Sequence, residues 1–515
     1  MRGSPGLSRS YVVGLDIGTS SIKALALPDG EMPPVSVRVA TPTVRHPGGR
    51  AEHDPGELWD AVTGCIRALV GALPGGARVE AVAAATVGEA LVPVGAKGEE
   101  LRPVIAWHDQ RGVAYVDRWE QDPGVRALYG ITGQTADERA TVNKILWILD
   151  TEPGVAADAE LWLGMDAWVN LRLCGRAATS PSLAARTMLF DRTTLRWSGA
   201  LVESVGLHVE RFPPVLPGAS VIGTLRRRAA ESTGLPLGIP VVAGGHDHLC
   251  AAFAARSGTD ALVDSIGSAE SLVAVTDEPA VGDPDAHVNC YPDVEPGRYA
   301  VSAQVGATGM ALDWVAREVY GMEPGPAAVA AMLSELGIPL RPTGAVFFPQ
   351  FGRGTAPRWD PSAALGAFLG LTPAHRRRDL FQAVLEAGCF SLRQNLEWMA
   401  GHGIVVHEVR VGGGPSGSEA WGRLAADVLA RPVVVVEDPE LTARGAALLA
   451  SVGAGWHADT ARAGAAAAVA TRTWSPSPAG ARCYDELYRD VFSKLPDGLA
   501  PIHRILKQGW RSGSA

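Results

Sequence analysis

Apolar positions near the start of the chain change period twice, and each change marks a change of element. Tyr11–Asp16 is apolar up to one terminal acid, Ser20–Leu27 follows a tight turn, and Val35–Ala40 alternates apolar with polar residues. Such runs predict three short strands in a meander. Between Pro55 and Leu73 the spacing lengthens. Leu58, Val62, Ile66, Leu69 and Val70 fall at helical intervals behind Asp54-Pro55, a cap and first-turn pair. Val79–Thr86 is again continuously apolar and predicts a buried strand. The order β-β-β-α-β predicts a mixed sheet with helices against it.

The second half opens in a similar way. Asp260–Ser265 and Ser271–Val275 flank the small-residue turn Ile266-Gly267-Ser268. Leu380–Met399 predicts a long helix, His407–Val411 a strand, Glu419–Leu429 a helix and Val433–Glu437 another strand. Ala443–Ser451 predicts a helix of small residues, Ala461–Ala470 a short surface helix, and Tyr484 and Tyr488 lie four apart on a closing helix. A boundary near Ala254–Gly258 divides the chain into two domains, residues 1–254 and 255–515.

Bulk properties narrow the classes. A chain of 515 residues is too long for one core and suits two domains. Its net charge of −9 and lack of a basic face argue against a nucleic-acid partner. A nucleotide remains compatible, because backbone amides and Mg²⁺ can hold a triphosphate. Apolar runs are interrupted well before the ~18 residues a membrane span needs, so no membrane partner is expected. Met1–Ser10 has no apolar core of signal-peptide length, and a cytoplasmic location is expected. Six scattered cysteines without a CxxC pair read as reduced, mostly buried thiols.

Three segments carry candidate chemistry. In Asp16-Ile17-Gly18-Thr19-Ser20-Ser21-Ile22-Lys23 an acid ends a strand, a Gly-Thr turn follows, and Lys23 is one of only five lysines. Such a turn can point amides and a hydroxyl at phosphate oxygens while the acid holds Mg²⁺ through water. A plain hairpin would look the same. No GxxxxGK[ST] is present, so the cradle is not a P-loop. In Gly244-Gly245-His246-Asp247-His248, a glycine loop leads into a small-residue helix, and its acid can take a proton from an attacking hydroxyl or merely cap the helix. His246 and His248 lack further ligands at metal spacing. Gly412-x-Gly414-x-x-Gly417 fits the dinucleotide fingerprint, with Glu437 ending the next strand, so a nicotinamide-dependent oxidoreductase is a rival reading. Pro415 in that loop opposes it, since proline offers no N–H to a pyrophosphate.

Together these segments resemble the FGGY carbohydrate kinase family, whose domain plan is shared with hexokinase, actin and heat-shock chaperone ATPases. The resemblance runs from about Tyr11 to Tyr488. Trp107-His108-Asp109-Gln110-Arg111 is similar to the family's W-x-D-x-R stretch, and Lys144–Ile148 to most of its first signature, with departures at Arg139 and Thr151. Gly366–Leu371, Asp379-Leu380 and Ala383–Glu386 fit the second signature at every position.

The resemblance implies an α/β fold of two ribonuclease-H-like domains of the actin/hexokinase type, with mixed sheets flanked by helices around a central cleft. It implies ATP and Mg²⁺, and a small sugar or polyol as acceptor. Asp247 would be the general base, and Asp16 beside it a second catalytic acid; the two would hold the metal. Gly18, Thr19, Ser20 and Lys23 would form the first phosphate loop, and Gly267 and Ser268 the second. Gly306, Gly309, Gly413, Gly414, Pro415 and Ser416 would line the nucleotide side. Gly88, Glu89, Trp107, Asp109 and His248 would line the sugar side.

At Thr86–Ala90, xylulokinases usually carry Met-His and glycerol kinases Arg-Glu; here Gly88-Glu89 fills the slot, leaving the acid without its arginine. His248 stands where Asn or Gln is common, Arg444-Gly445 replaces a usual Leu-Gly, and Ala387-Gly388 shifts a glycine. The pattern is nearest to xylulokinase-like members, so a ketose such as xylulose is the first expectation, with glycerol, a tetritol, a hexulose or a cyclitol open. A homodimer is compatible with the resemblance. A non-catalytic sugar sensor is opposed by the presence of both Asp16 and Asp247.

Overall fold

The computed structural model describes residues 10–511, except 120, 122, 123, 267–269, 281–287, 306, 307, 339, 351–364 and 468. The first sheet contains β1 (Ser10–Ile17), β2 (Ser21–Pro28), β3 (Val35–Ala40), β4 (Arg78–Thr86), β5 (Val221–Thr224) and β6 (Pro240–His246). Their spatial order is β5-β6-β4-β1-β2-β3. Strands β1, β4 and β6 are mutually parallel neighbours, β1-β2-β3 is the antiparallel meander, and β5 closes the far edge antiparallel to β6.

The second sheet contains β7 (Leu262–Ile266), β8 (Glu270–Thr276), β9 (Asn289–Pro292), β10 (Tyr299–Val305), β11 (Val409–Gly413), β12 (Val433–Val436) and β13 (Thr471–Trp474). Its order, β9-β10-β8-β7-β11-β12-β13, repeats the same plan: β7, β11 and β12 are parallel, an antiparallel meander lies on one side, and an antiparallel edge strand on the other.

The helices form where the pattern places them. In α1 (Pro55–Ala72) Asp54 accepts from the Glu57 amide at 2.9 Å, and Leu58, Val62, Ile66 and Leu69 are buried. The other helices used below are α2 (Thr141–Thr151), α3 (Asp247–Arg256), α4 (Arg377–Gly401), α5 (Glu419–Leu429), α6 (Leu441–Gly453) and α7 (Pro478–Asp490). Tyr484 and Tyr488 of α7 are buried against Phe390 of α4. The alanine-rich stretch is helical only over Thr460–Ala465.

The small residues of α6 have a packing reason. Although α6 comes late in the chain, it lies on the first sheet, where Ala443, Ala447 and Ala450 meet Val12, Leu25, Ala81, Ala83 and Val242. The approach is so close that a Cβ on Gly14 would fall 1.9 Å from the Ala443 carbonyl oxygen. On its other side α6 meets α3, and a Cβ on Gly445 would fall 2.0 Å from the Cys250 oxygen.

One expectation is corrected here. Gly244 and Gly245 do not form a loop. They lie within β6, where a Cβ on Gly244 would meet the Ala84 oxygen at 1.9 Å and one on Gly245 would meet Val294 Cγ1 at 2.3 Å. Glycine here permits tight strand packing and a register irregularity between Val242 and Gly245. All six cysteines are free, and Cys483 is the exposed one. Among the described residues, no helix is long and apolar enough to cross a membrane.

Candidate active site

In each sheet the parallel strands end on the same side. Asp16 on β1 and Gly245 on β6 both stand beside Ala85 of β4, and His246 stands beside Thr86. Asp16, the Val87–Glu89 turn and Asp247 therefore emerge at the carboxyl ends of three adjacent parallel strands. In the second sheet Ile266 at the end of β7 pairs with Gly413 at the end of β11. Carboxyl ends of parallel strands are where open α/β sheets bind ligands.

Asp16 is 5% exposed. Burial raises its carboxyl to about 6, nearby Lys23 opposes the rise, and nearby Asp247 adds to it. Asp247 is the first residue of α3, and its Oδ1 accepts from the His248 amide at 2.7 Å. His246 Nε2 lies 3.3 Å from the same oxygen. Burial pushes the His246 imidazole down to about 3, so it is neutral near pH 7. His248 is exposed, its ring 5.5 Å from that of His246. No group of three His, Cys, Asp or Glu residues suited to a metal occurs among the described residues.

Several predicted residues are engaged by the protein itself. Lys23 Nζ lies 3.2 Å from Asp16 Oδ2 and 3.6 Å from Glu440 Oε2, at the start of α6. It bridges two carboxylates of the protein. Thr19 Oγ1 accepts from Trp107 Nε1 at 2.7 Å. The Gly18 amide donates to Ser21 O at 3.1 Å, and Ser20 is exposed. Asp109, expected at the sugar, is 1% exposed and accepts from the amides of Ala51 (2.6 Å) and Arg111 (2.9 Å) and from Arg111 Nε (2.7 Å). Arg111 also donates to Glu52 at 2.7 Å and lies over Trp147 at 4.5 Å. Asp109 thus belongs to a fold-locking latch.

The sugar-side turn is held from below. Lys144 on α2 is fully buried, and its ammonium donates to the carbonyls of Glu89 (2.9 Å), Trp107 (3.0 Å) and Arg139. The side chain of Glu89 faces Arg186, whose Nε donates to Oε1 at 2.8 Å and whose Nη2 binds the same oxygen. Burial alone would raise the Glu89 carboxyl, but Arg186, then Arg139 and Lys144, outweigh it and bring it to about 2. Arg186 Nη1 donates to Gln134 Oε1 at 2.6 Å, and its guanidinium lies over Tyr291 of the second sheet at 5.5 Å. Sequence reasoning missed Arg186, Gln134 and Tyr291. Arg186 is far from Glu89 in the chain, and nothing local distinguishes it from other arginines.

On the second sheet, Gly413 has φ 81°, and a Cβ there would fall 2.5 Å from Ile266 O, so glycine is required. A 3₁₀ turn, Gly414–Gly417, with Pro415 and Ser416 buried, leads into α5. Gly309 lies in the short helix Thr308–Trp314. Gly267, Ser268 and Gly306 lie outside the described residues. The dinucleotide reading of this loop does not suit the topology. Among the described residues three strands of the sheet are parallel, and Glu437, expected to receive a ribose, pairs with Arg472 at 2.5 Å.

Comparison with known proteins gives the same grouping. Residues 11–254 match the N-terminal domain, and residues 262–454 the C-terminal domain, of the FGGY family of carbohydrate kinases. The chain is 26% identical to the xylulose kinase of Bacillus subtilis (strain 168) over 448 residues, covering 87% of this chain and 89% of that one. It is 30% identical to the glycerol kinase of Thermus brockianus over 460 residues, covering 86% and 90%. The crystal structure of xylulose kinase from Rhodospirillum rubrum superposes with a TM-score of 0.87 at 28% identity, covering 96% of this chain and 99% of that one. The chain belongs to the FGGY family of carbohydrate kinases, ATP-dependent phosphotransferases of the actin/hexokinase-type fold.

Proposed function

We propose that this kinase transfers the terminal phosphate of ATP to a hydroxyl of a small neutral sugar, a ketose such as xylulose first among them, with Asp247 as general base. The observation that carries this is the convergence of Asp16, Glu89 and Asp247 at three adjacent strand ends. Residues 1–254 would supply the sugar side, and residues 255–515, α6 apart, the nucleotide side.

Asp247 sits at a helix N-terminus, where the helix dipole stabilises its carboxylate until it takes the hydroxyl proton. His246 Nε2–H would keep one carboxylate oxygen turned, leaving the other for the sugar. Glu89, fixed by Arg186, would accept from a second sugar hydroxyl. Gly413 and the turn after it would let the nucleotide approach backbone closely.

Mg²⁺ fits this donor set. Asp16 is a buried carboxylate whose charge is only partly offset by Lys23, with Asp247 close enough to raise its pKa further. Mg²⁺ keeps most of its waters and needs only one or two carboxylates besides phosphate oxygens. When bound it would neutralise charge developing on the phosphates.

An ADP-release assay over pentuloses, hexuloses, tetritols, glycerol and cyclitols tests the substrate. Asp247→Asn should lower turnover by about 10²–10⁴-fold while nucleotide still binds. Near-wild-type turnover in that variant would remove Asp247 from the role of base.

A further inference from the structure

The sugar side contains a glycine that its own backbone does not require. Gly88 is absent from the residues with left-handed φ, so an L side chain is conformationally permitted there. Space excludes one. A Cβ at 88 would lie 3.0 Å from Arg186 Cγ, 3.3 Å from Arg186 Cβ and 3.3 Å from His246 Cδ2. The bulk that residue 88 lacks is occupied by a side chain delivered from the turn Ala185–Thr187.

Arg186 is built in. Its side chain is 11% exposed, and Nε, Nη1 and Nη2 each have a carboxylate or amide acceptor. Each terminal nitrogen carries two N–H groups, so one on each remains available beyond these bonds. Both Glu89 bonds end on Oε1. The Arg186 N–H groups outside these bonds are donors and the Glu89 carboxylate an acceptor, a set that suits two adjacent hydroxyls.

Arg186 pairs with Glu89 and Arg139 with Asp137, while Lys144 donates to three backbone carbonyls and is drawn electrostatically to Glu89, Asp109 and Asp137. Among these described residues each cation thus already has partners within the protein.

We infer that Gly88 and Arg186 form one specificity element: the missing side chain at 88 leaves room for the Arg186 stem, whose guanidinium with Glu89 selects a vicinal diol of a neutral sugar over a sugar acid. This rests on the kinase reading above. It assigns Arg186 as a substrate-selecting residue and Gly88 as the condition for its entry.

The test is a double-mutant cycle read in steady-state kinetics. D-xylulose, L-ribulose, D-fructose, erythritol and glycerol serve as neutral acceptors, and D-xylonate and D-gluconate as acids. Gly88→Ala should raise the KM of the preferred neutral acceptor by about tenfold or more, with the ATP KM within about twofold, because charge-assisted hydrogen bonds are lost. In an Arg186→Ala background the same Gly88→Ala change should have no further effect on sugar KM. Should Arg186→Ala fail to fold with Glu89 left unpaired, a Glu89→Gln/Arg186→Ala background replaces it. An equal effect of Gly88→Ala with and without the Arg186 guanidinium would place the constraint on His246 or on the Cβ at 186 and overturn the inference. So would an aldonate used better than every neutral acceptor. Wild-type protein that phosphorylates nothing in either set would instead sink the kinase reading on which the inference stands.

Discussion

Glu386 closes a signature segment in the sequence, and its surroundings make it a neutral group. It sits inside α4, 2% exposed, and its Oε1 faces Gln382 Nε2 at 2.7 Å and the Tyr484 hydroxyl at 3.1 Å. Burial pushes its carboxyl from 4.5 up to about 8; the two hydrogen bonds pull the other way and do not prevail. At pH 7 the folded protein therefore keeps a proton here that the unfolded chain releases. Its contribution to stability falls as pH rises between 4.5 and about 8, by about 1.4 kcal/mol per pH unit and about 5 kcal/mol across the window, and is flat on either side. Glu386→Gln keeps the shape and an acceptor for Tyr484 without a titrating proton. The variant should match wild type near pH 4.5 and exceed it by about 3 kcal/mol at pH 7. Urea unfolding followed by circular dichroism from pH 4.5 to 9, read as the variant-minus-wild-type difference, isolates this residue. A difference independent of pH, or a less stable variant at pH 7.5, would refute the reasoning.

Two further outcomes follow from the sugar side. Glu89→Ala leaves the Arg186 guanidinium buried without its carboxylate, so it should cost about 3 kcal/mol of stability and raise the sugar KM more than the ATP KM. Equal changes in both constants would place Glu89 outside the sugar site. Lys144→Met removes the ammonium that gathers the carbonyls of Glu89, Trp107 and Arg139. It should raise the sugar KM and lower stability by about 1–3 kcal/mol, and urea unfolding with steady-state kinetics would expose an inert substitution.

Local periodicity made much of the fold legible. The β1–β3 meander, α1 and α5 lie within a residue or two of the predicted positions because each buries one face at its own repeat. The residues that bear charge near the cleft were legible as types, less so as roles. Lys23 stood out by scarcity, but its second partner, Glu440, comes from the other end of the chain. Asp109 read as a sugar contact because Trp107–Arg111 looks like a site; its true partners, Ala51 and Glu52 with Arg111, are set by tertiary packing. Gly244 and Gly245 read as a loop because glycine usually breaks strands, whereas here it lets β6 press on Ala84 and Val294. Arg186 could not be found at all, since an ion pair across such separation leaves no local pattern.

The helix that closes the first sheet has a consequence for how the protein is made. When the ribosome has released residues 1–254, β1, β4 and β6 can already pair, but the face of Val12, Leu25, Ala81 and Val242 still awaits Ala443, Ala447 and Ala450. Until residue 453 emerges, that apolar surface is exposed to any sticky neighbour, including another nascent chain. The early half thus carries an apolar face left uncovered until α6 arrives, and a chain stopped before α6 lacks that cover altogether.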